Sequence, residues 1–292
     1  MARIETLKPY VEQLIFGIDV DAKRTGSRFA FHLDYDTKTY REKELAGLIR
    51  DSVEYFALTH EEFEEFLTKG DLISARRKAW GRISTAQKNK KGDYGELLLF
   101  LLLNFRLAER PERFVTKVRL RSSRGDQIKG FDCAHFTIEN EELCLWLGEA
   151  KFHQSFSTAI SGAFESLEEH GEANYLKNEI RILGANIEAN HGITPAMHEK
   201  LDRVLNKGCS LDKMRFKIPV LLTYDSDAVQ KHQEVCQGFL DDLSKELSAH
   251  LDSLAARKII LPPNFTLLFL LMPFHTVATI KSELDKMEKA ME

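Results

Sequence analysis

The sequence has little cysteine and no apolar run of membrane-spanning length. Its four cysteines are scattered along 292 residues without a CxxC pair, a distribution typical of reduced thiols. The longest apolar runs, 97–103 and 267–272, are much shorter than the roughly 20 residues that a transmembrane helix needs. The first residues lack the apolar segment of a secretory signal. We therefore expect a cytoplasmic protein with no membrane segment.

Several common enzyme motifs are also missing. No GxxxxGK[ST] loop is present, so we do not expect this chain to hydrolyse ATP itself. The patterns GxSxG and HExxH, typical of serine hydrolases and zinc proteases, are absent. His191, His198 and His250 lack the spacing of metal ligands. The chemistry must therefore come from other residues.

An excess of positive charge is missing as well. The formal net charge is −4, which is not the profile of a free-standing nucleic-acid binder. Basic residues instead form local runs within 76–78, 88–91 and 113–129. Each run alone is most simply a solvated face. Because the runs bracket the acidic residues described below, we predict that together they line a phosphate track.

Strand and helix patterns alternate along the chain. The region 93–107 is apolar on nearly every side, which predicts a helix buried within a layered fold. The segments 128–138 and 142–152 alternate as strands and are most simply a hairpin. Two N-terminal segments, 14–20 and 27–35, predict strands of a small separate sheet. Later patterns predict helices over 155–170, 227–257 and 281–291 and strands over 216–224 and 265–273, so the fold class is α/β or α+β.

The most informative pattern is a set of charged residues on apolar strand faces. Strand side chains alternate, so Asp132 lies on the same face as apolar neighbours in the first strand. Glu149 and Lys151 share the face of Leu147 in the second strand. Burying unpaired carboxylates costs several kcal/mol by order of magnitude. A divalent cation neutralises both carboxylates, whereas a Lys151–Glu149 or Lys151–Asp132 ion pair leaves one unexplained.

We therefore predict a hard-metal site for phosphodiester chemistry. Asp132, Glu149 and the carbonyl of Ala150 would hold Mg²⁺ or Mn²⁺ through oxygen ligands. The metal would polarise the phosphodiester and lower the pKa of a bound water. Lys151 would orient or deprotonate that water, or neutralise developing charge. Glu96 in the first turn of the apolar helix is either a response to the helix dipole or a further metal carboxylate, depending on which face of the sheet that helix covers.

The order Glu96, Asp132, Glu149-Ala150-Lys151 resembles the PD-(D/E)xK nuclease superfamily, although Phe131 replaces the proline of the name. Gly92-Asp93-Tyr94-Gly95-Glu96 together with Leu147-Gly148-Glu149-Ala150-Lys151-Phe152 resembles the HamA family, the effector subunit of the Hachiman antiphage defence system. The resemblance implies an α/β fold with a mixed central sheet flanked by helices. It also implies an N-terminal α/β extension over 1–88 and a nuclease domain over 89–292.

The same resemblance implies a function and a partner. It predicts Mg²⁺-dependent degradation of DNA, with Asp132, Glu149 and Lys151 catalytic and Glu96 at the metal. It also predicts a superfamily 2 helicase partner, HamB, which restrains the nuclease. Two alternatives stay open: a catalytically silent nuclease fold that only binds a helicase, and an RNA-cleaving effector, because phosphodiester chemistry is shared between DNA and RNA.

Overall fold

A computed structural model describes residues 4–18, 28–83, 93–105, 114–116, 133–139, 142–170, 176, 199, 202–203, 214–259 and 261–290. Among these residues, no helix combines the length and apolar character needed to cross a bilayer. The helices are α1 (Lys8–Leu14), α2 (Glu42–Ala57), α3 (His60–Thr68), α4 (Leu72–Ile83), α5 (Asp93–Phe105), α6 (Phe156–His170), α7 (Asp227–Lys231), α8 (Gln237–Ala256) and α9 (Val277–Lys289), with a 3-10 turn at Ile4–Leu7.

A seven-stranded mixed sheet forms the centre of the described structure. Its strands are β1 (Ile15–Ile18), β2 (Arg28–Leu33), β5 (Phe114–Thr116), β6 (Cys133–Glu139), β7 (Glu142–Phe152), β8 (Arg215–Asp225) and β9 (Phe265–Phe274), in the order β1-β2-β9-β8-β7-β6-β5. The pairs β2–β9, β9–β8 and β8–β7 are parallel, and the other pairs are antiparallel. Two short strands, β3 (Tyr35–Asp36) and β4 (Thr39–Tyr40), form a separate hairpin.

Helices cover both faces of this sheet. On one face, α6 and α8 meet the strands: Phe164 stacks on Phe269, and His250 packs against Tyr224. On the other face, α5 lies against β7 and α9 against β8, and Phe56 of α2 packs on Phe100 of α5. The two central strands β8 and β9 are therefore almost continuously apolar, as parallel strands covered on both faces should be. The predicted α/β fold with a mixed sheet flanked by helices is confirmed.

Local signals in the sequence explain where several helices begin. Thr59 and Glu62 form a reciprocal capping box at the start of α3. The Asp71 carboxylate accepts a hydrogen bond from the backbone N–H of Ser74, which caps α4. The predicted hairpin is confirmed as well, because β6 and β7 pair antiparallel from Cys133–Gly148 to Glu139–Glu142.

The N-terminal strands differ from the prediction. Instead of a small separate sheet, β1 and β2 extend the main sheet, with β2 running parallel to β9. Short strand patterns carry no information about their distant partners, and Ala30 pairs with Leu271 across most of the chain. The division into domains near residue 88 stays a prediction, and residues 84–92 lie outside the described part.

The first basic run is used within the N-terminal helices. The Arg76 guanidinium pairs with the buried Glu54 carboxylate at 2.6 Å, and the Lys78 ammonium pairs with Glu62 at 2.7 Å. These contacts join α4 to α2 and α3. The phosphate track stays a prediction, because the runs 88–91 and 117–129 lie outside the described residues.

A buried carboxylate anchors the start of α9. Glu42 is 3% exposed, and its Oε1 atom accepts hydrogen bonds from the backbone N–H groups of His275 at 2.5 Å and Thr276 at 3.1 Å. Burial raises the pKa of Glu42 to about 7, although these two hydrogen bonds lower it. The raised pKa means that the folded state holds a proton that the unfolded chain releases.

The substitution Glu42→Gln should therefore change the pH dependence of stability. Between the unfolded pKa of 4.5 and the folded pKa of about 7, the wild-type unfolding free energy should fall as pH rises, by up to ~3 kcal/mol. The Gln side chain keeps an acceptor for the same N–H groups but cannot ionise. Chemical denaturation at pH 5 and pH 8 should show a smaller decline for the variant, and parallel pH profiles would contradict this assignment.

Candidate active site

The Glu149-Ala150-Lys151 segment lies at the carboxyl end of β7, beside the parallel strand β8. Glu149 pairs in register with Val220 and Lys151 with Leu222, both of which are fully buried. The described part of β6 ends opposite Gly148. Two charged side chains thus occupy one face of a strand in the middle of the sheet, at the end where β7 extends past its last described pairing with β6.

The two side chains are in direct contact. The Lys151 Nζ atom lies 2.6 Å from the Glu149 Oε1 atom, and the Glu149 side chain is 4% exposed against 19% for Lys151. The Lys151–Glu149 ion pair considered as an alternative in the sequence analysis is therefore present. A buried carboxylate requires a compensating charge or hydrogen bonds, and Lys151 supplies a charge. Lys151 is therefore the more exposed member of the pair.

Helix α6 forms the wall beside Lys151. The Lys151 ammonium donates a hydrogen bond of 2.9 Å to the hydroxyl of Ser166. One helical turn earlier, Gly162 leaves room for the lysine stem: a Cβ atom there would lie 3.6 Å from Lys151 Cε. Because residues four apart share a helix face, these two small residues together fix the path of the lysine side chain.

The first turn of α5 approaches β7 from the opposite face. A Cβ atom at Gly95 would lie 3.1 Å from the Cβ of Phe152 and 3.2 Å from the Cβ of Ala150. Ala150 and Phe152 alternate with Glu149 and Lys151, so this contact is on the other side of the strand. Glu96 is 7% exposed at this helix start. The described packing therefore brings Glu96 to the same strand segment, but from the face opposite to Glu149.

Four successive backbone carbonyls at the end of β7 accept hydrogen bonds. The Thr223 hydroxyl of β8 lies 3.4 Å from the Lys151 carbonyl and 3.3 Å from the His153 carbonyl. The Lys281 ammonium donates to the Phe152 carbonyl at 2.7 Å, and the Asp225 N–H donates to the Gln154 carbonyl at 2.8 Å. Such complete pairing fixes the backbone that carries the Glu-x-Lys segment.

His153 continues the row of polar residues beyond Lys151. Burial lowers the pKa of His153, and the positive charges of Lys281 and Lys151 lower it further. Its imidazole is therefore kept neutral near physiological pH. The charges of Lys151 in β7 and Lys281 in α9 thus lie close enough to His153 to influence its pKa.

The predicted site residues are only partly within the described structure. Asp132 lies outside the described residues, so its predicted convergence with Glu149 and Lys151 stays a prediction. Within the described residues, no group of three or more His, Cys, Asp or Glu side chains is arranged to hold a metal ion. Two described donors are of the oxygen type that Mg²⁺ and Mn²⁺ prefer: the Glu149 carboxylate and the Ala150 carbonyl. They fit such an ion chemically.

Three residues that support the site were not predicted from the sequence. Ser166, Thr223 and Lys281 each hold Lys151 or the backbone beside it. The spacing of Gly162 and Ser166 on a helix was a usable signal, because small residues four apart predict close packing against a neighbour. Lys281, 130 positions after Lys151, carries no signal in the sequence.

The close approach of α5 to β7 can be tested with matched glycine substitutions. Gly95→Ala places a methyl group closer to two Cβ atoms than the ~3.5–4.0 Å of an optimal carbon contact. At Gly47 in α2, an added Cβ meets nothing within 4 Å. Gly47→Ala should raise the unfolding free energy by ~0.5–1 kcal/mol, whereas Gly95→Ala should lower it by ~1 kcal/mol. Equal gains in denaturant unfolding would show that α5 does not press on β7.

Comparison with known proteins adds one clear match. The model of the HamA family matches residues 8–287, which covers the helices and strands described above from α1 to α9, apart from the last two residues of α9. A comparison with curated proteins gives no significant match.

Proposed function

The chain belongs to the HamA family of the Hachiman antiphage defence system, and we propose that it is the nuclease of that system, a metal-dependent enzyme that hydrolyses phosphodiester bonds in DNA. The observation that carries this proposal is the buried Glu149 paired with Lys151 on an otherwise apolar strand face. A core position of this kind favours an apolar residue unless the charges have a task.

The residues can be given roles that follow from their chemistry. Lys151 lies at the more exposed side of the pair and carries the charge that an anionic phosphate would meet. Its contact with Ser166 holds the ammonium in one direction. When substrate arrives, Lys151 orients the attacking water or neutralises charge that develops on the phosphate. Glu149 holds the Lys151 ammonium in place through their ion pair.

The metal ligands are the second part of the proposal. Glu149 and the Ala150 carbonyl supply oxygen donors at the end of β7, and Asp132 immediately precedes Cys133, which pairs with Gly148 next to Glu149. These three groups would hold Mg²⁺ or Mn²⁺. Glu96 of α5 approaches β7 from the opposite face, so the other alternative, a response to the helix dipole, is favoured for it. The ion, when bound, would supply Lewis-acid polarisation of the phosphodiester.

Control by a partner helicase is the third part. The net charge of −4 gives the chain little general affinity for DNA. A helicase such as HamB could supply that affinity by holding DNA near the site at high effective concentration. The isolated chain should therefore bind duplex DNA weakly at physiological salt in a titration, and a tight complex of the isolated chain with DNA would contradict helicase control.

Digestion assays test the nuclease directly. Plasmid DNA and an RNA of similar length should be incubated with the purified chain and Mg²⁺, with and without the helicase. Wild type should degrade DNA, and EDTA should stop the reaction. Lys151→Ala and Asp132→Asn should each lower the rate at least ~100-fold, because each removes a group that acts at the reacting phosphate.

Each alternative has its own outcome in this assay. Preferential loss of RNA would replace DNA as the substrate, without changing the site. Lack of cleavage of either nucleic acid under all conditions, with retained binding to the helicase, would identify a catalytically silent binding module. Equal degradation by wild type and Lys151→Ala would remove the proposed mechanism.

A further inference from the structure

Helix α9 contacts three of the elements that carry the candidate site. At the start of α5, the Tyr94 hydroxyl donates to Asp285 at 2.8 Å and lies 2.5 Å from the Glu288 carboxylate. At the end of β8, the Asp225 carboxylate accepts a hydrogen bond from the Val277 N–H at 2.7 Å. At the end of β7, Lys281 reaches the Phe152 carbonyl. One C-terminal helix thus ties together three elements that are distant in sequence.

The Lys281 side chain is held by several groups at once. Its ammonium donates to the Phe152 carbonyl at 2.7 Å and lies 5.3 Å from the centre of the Phe152 ring. Burial lowers the pKa of Lys281, while the carboxylates of Asp285 and Asp225 oppose that shift. A half-buried ammonium of this kind is costly to maintain unless its hydrogen bonds are useful.

The Phe152 carbonyl, which accepts the hydrogen bond from Lys281, points toward the side of β7 that pairs with β6. The Lys151 and His153 carbonyls point toward Thr223 on β8. Because successive carbonyls of a strand point to opposite edges, those of Phe152 and Ala150 point together toward the β6 edge. Lys281 therefore holds the β6-facing side of β7. The Ala150 carbonyl points to the same side, and Ala150 directly precedes Lys151.

We propose that Lys281 is a positioning residue for the candidate active site, holding the end of β7 so that Ala150 and Lys151 stay in a reactive arrangement. This inference rests on the proposed nuclease function. Lys281 acts through the Phe152 carbonyl and not by touching substrate. It makes the C-terminal helix part of the catalytic apparatus, although the Glu-x-Lys segment lies 130 positions earlier.

Three variants separate positioning from general stability. Lys281→Met keeps an apolar stem over Phe152 but loses the donor, and Lys281→Arg restores a charged donor. Lys286→Met is the control, because Lys286 lies on the same helix, is 67% exposed and pairs only with Glu283 among the described contacts. For each variant, kcat and KM for DNA cleavage, the melting temperature and backbone hydrogen exchange over 150–155 should be measured.

Lys281→Met should lower kcat roughly tenfold to a hundredfold with little change in KM, since small misplacements of reacting groups have effects of that size. Exchange over 150–155 should be faster, while the melting temperature stays within a few degrees of wild type. Lys281→Arg should recover most of the loss, and Lys286→Met should match wild type.

If the wild type cleaves DNA, three results would overturn the inference. One is a normal kcat in Lys281→Met. Another is a raised KM with normal kcat, which would make Lys281 a substrate contact. The third is an equal loss in the Met and Arg variants together with a large drop in melting temperature, which would indicate a purely structural role. If wild type cleaves no nucleic acid, the proposed function fails separately, and unchanged exchange over 150–155 in Lys281→Met would then overturn the positioning role by itself.

Discussion

The need to compensate one buried carboxylate determines most of what surrounds the candidate site. Glu149 lies in a sheet covered by helices on both faces, where water cannot stabilise its charge. Lys151 two residues later shares its face and reaches it directly. The lysine in turn needs a defined path, which Gly162 and Ser166 of α6 provide. Lys151 thus stabilises Glu149, and α6 in turn positions Lys151.

The sheet order explains why this pair occupies a functional position. The central strands β7, β8 and β9 are parallel and apolar, so their carboxyl ends meet at one edge of the sheet. Parallel sheets tend to bind ligands at that edge. In this chain the carboxyl ends of the strands carry Lys151, His153 and Asp225, and α9 packs beside them. A rigid apolar centre thus presents a small polar cluster at its end.

The sequence was sufficient for the parts of the fold that depend on local pattern. The Thr59–Glu62 capping box, the apolar helix α5 and the β6–β7 hairpin all follow from short-range spacing. The Glu-x-Lys pair was also predictable, because alternation places both residues on one face of a strand. The addition of β2 to the main sheet and the reach of Lys281 to Phe152 were not. Both join segments that are far apart in sequence, and neither leaves a periodic pattern.

Binding of a manganese ion beside Glu149 is the most direct test of the central claim. Crystals of the chain soaked in Mn²⁺ should show an anomalous peak within coordination distance of a Glu149 carboxylate oxygen and the Ala150 carbonyl. The Lys151 ammonium should move away from Glu149 in the same crystals, since the ion takes over charge compensation. The absence of a peak at saturating Mn²⁺, with Lys151 still 2.6 Å from Glu149, would show that the pair is a structural ion pair and would contradict the account.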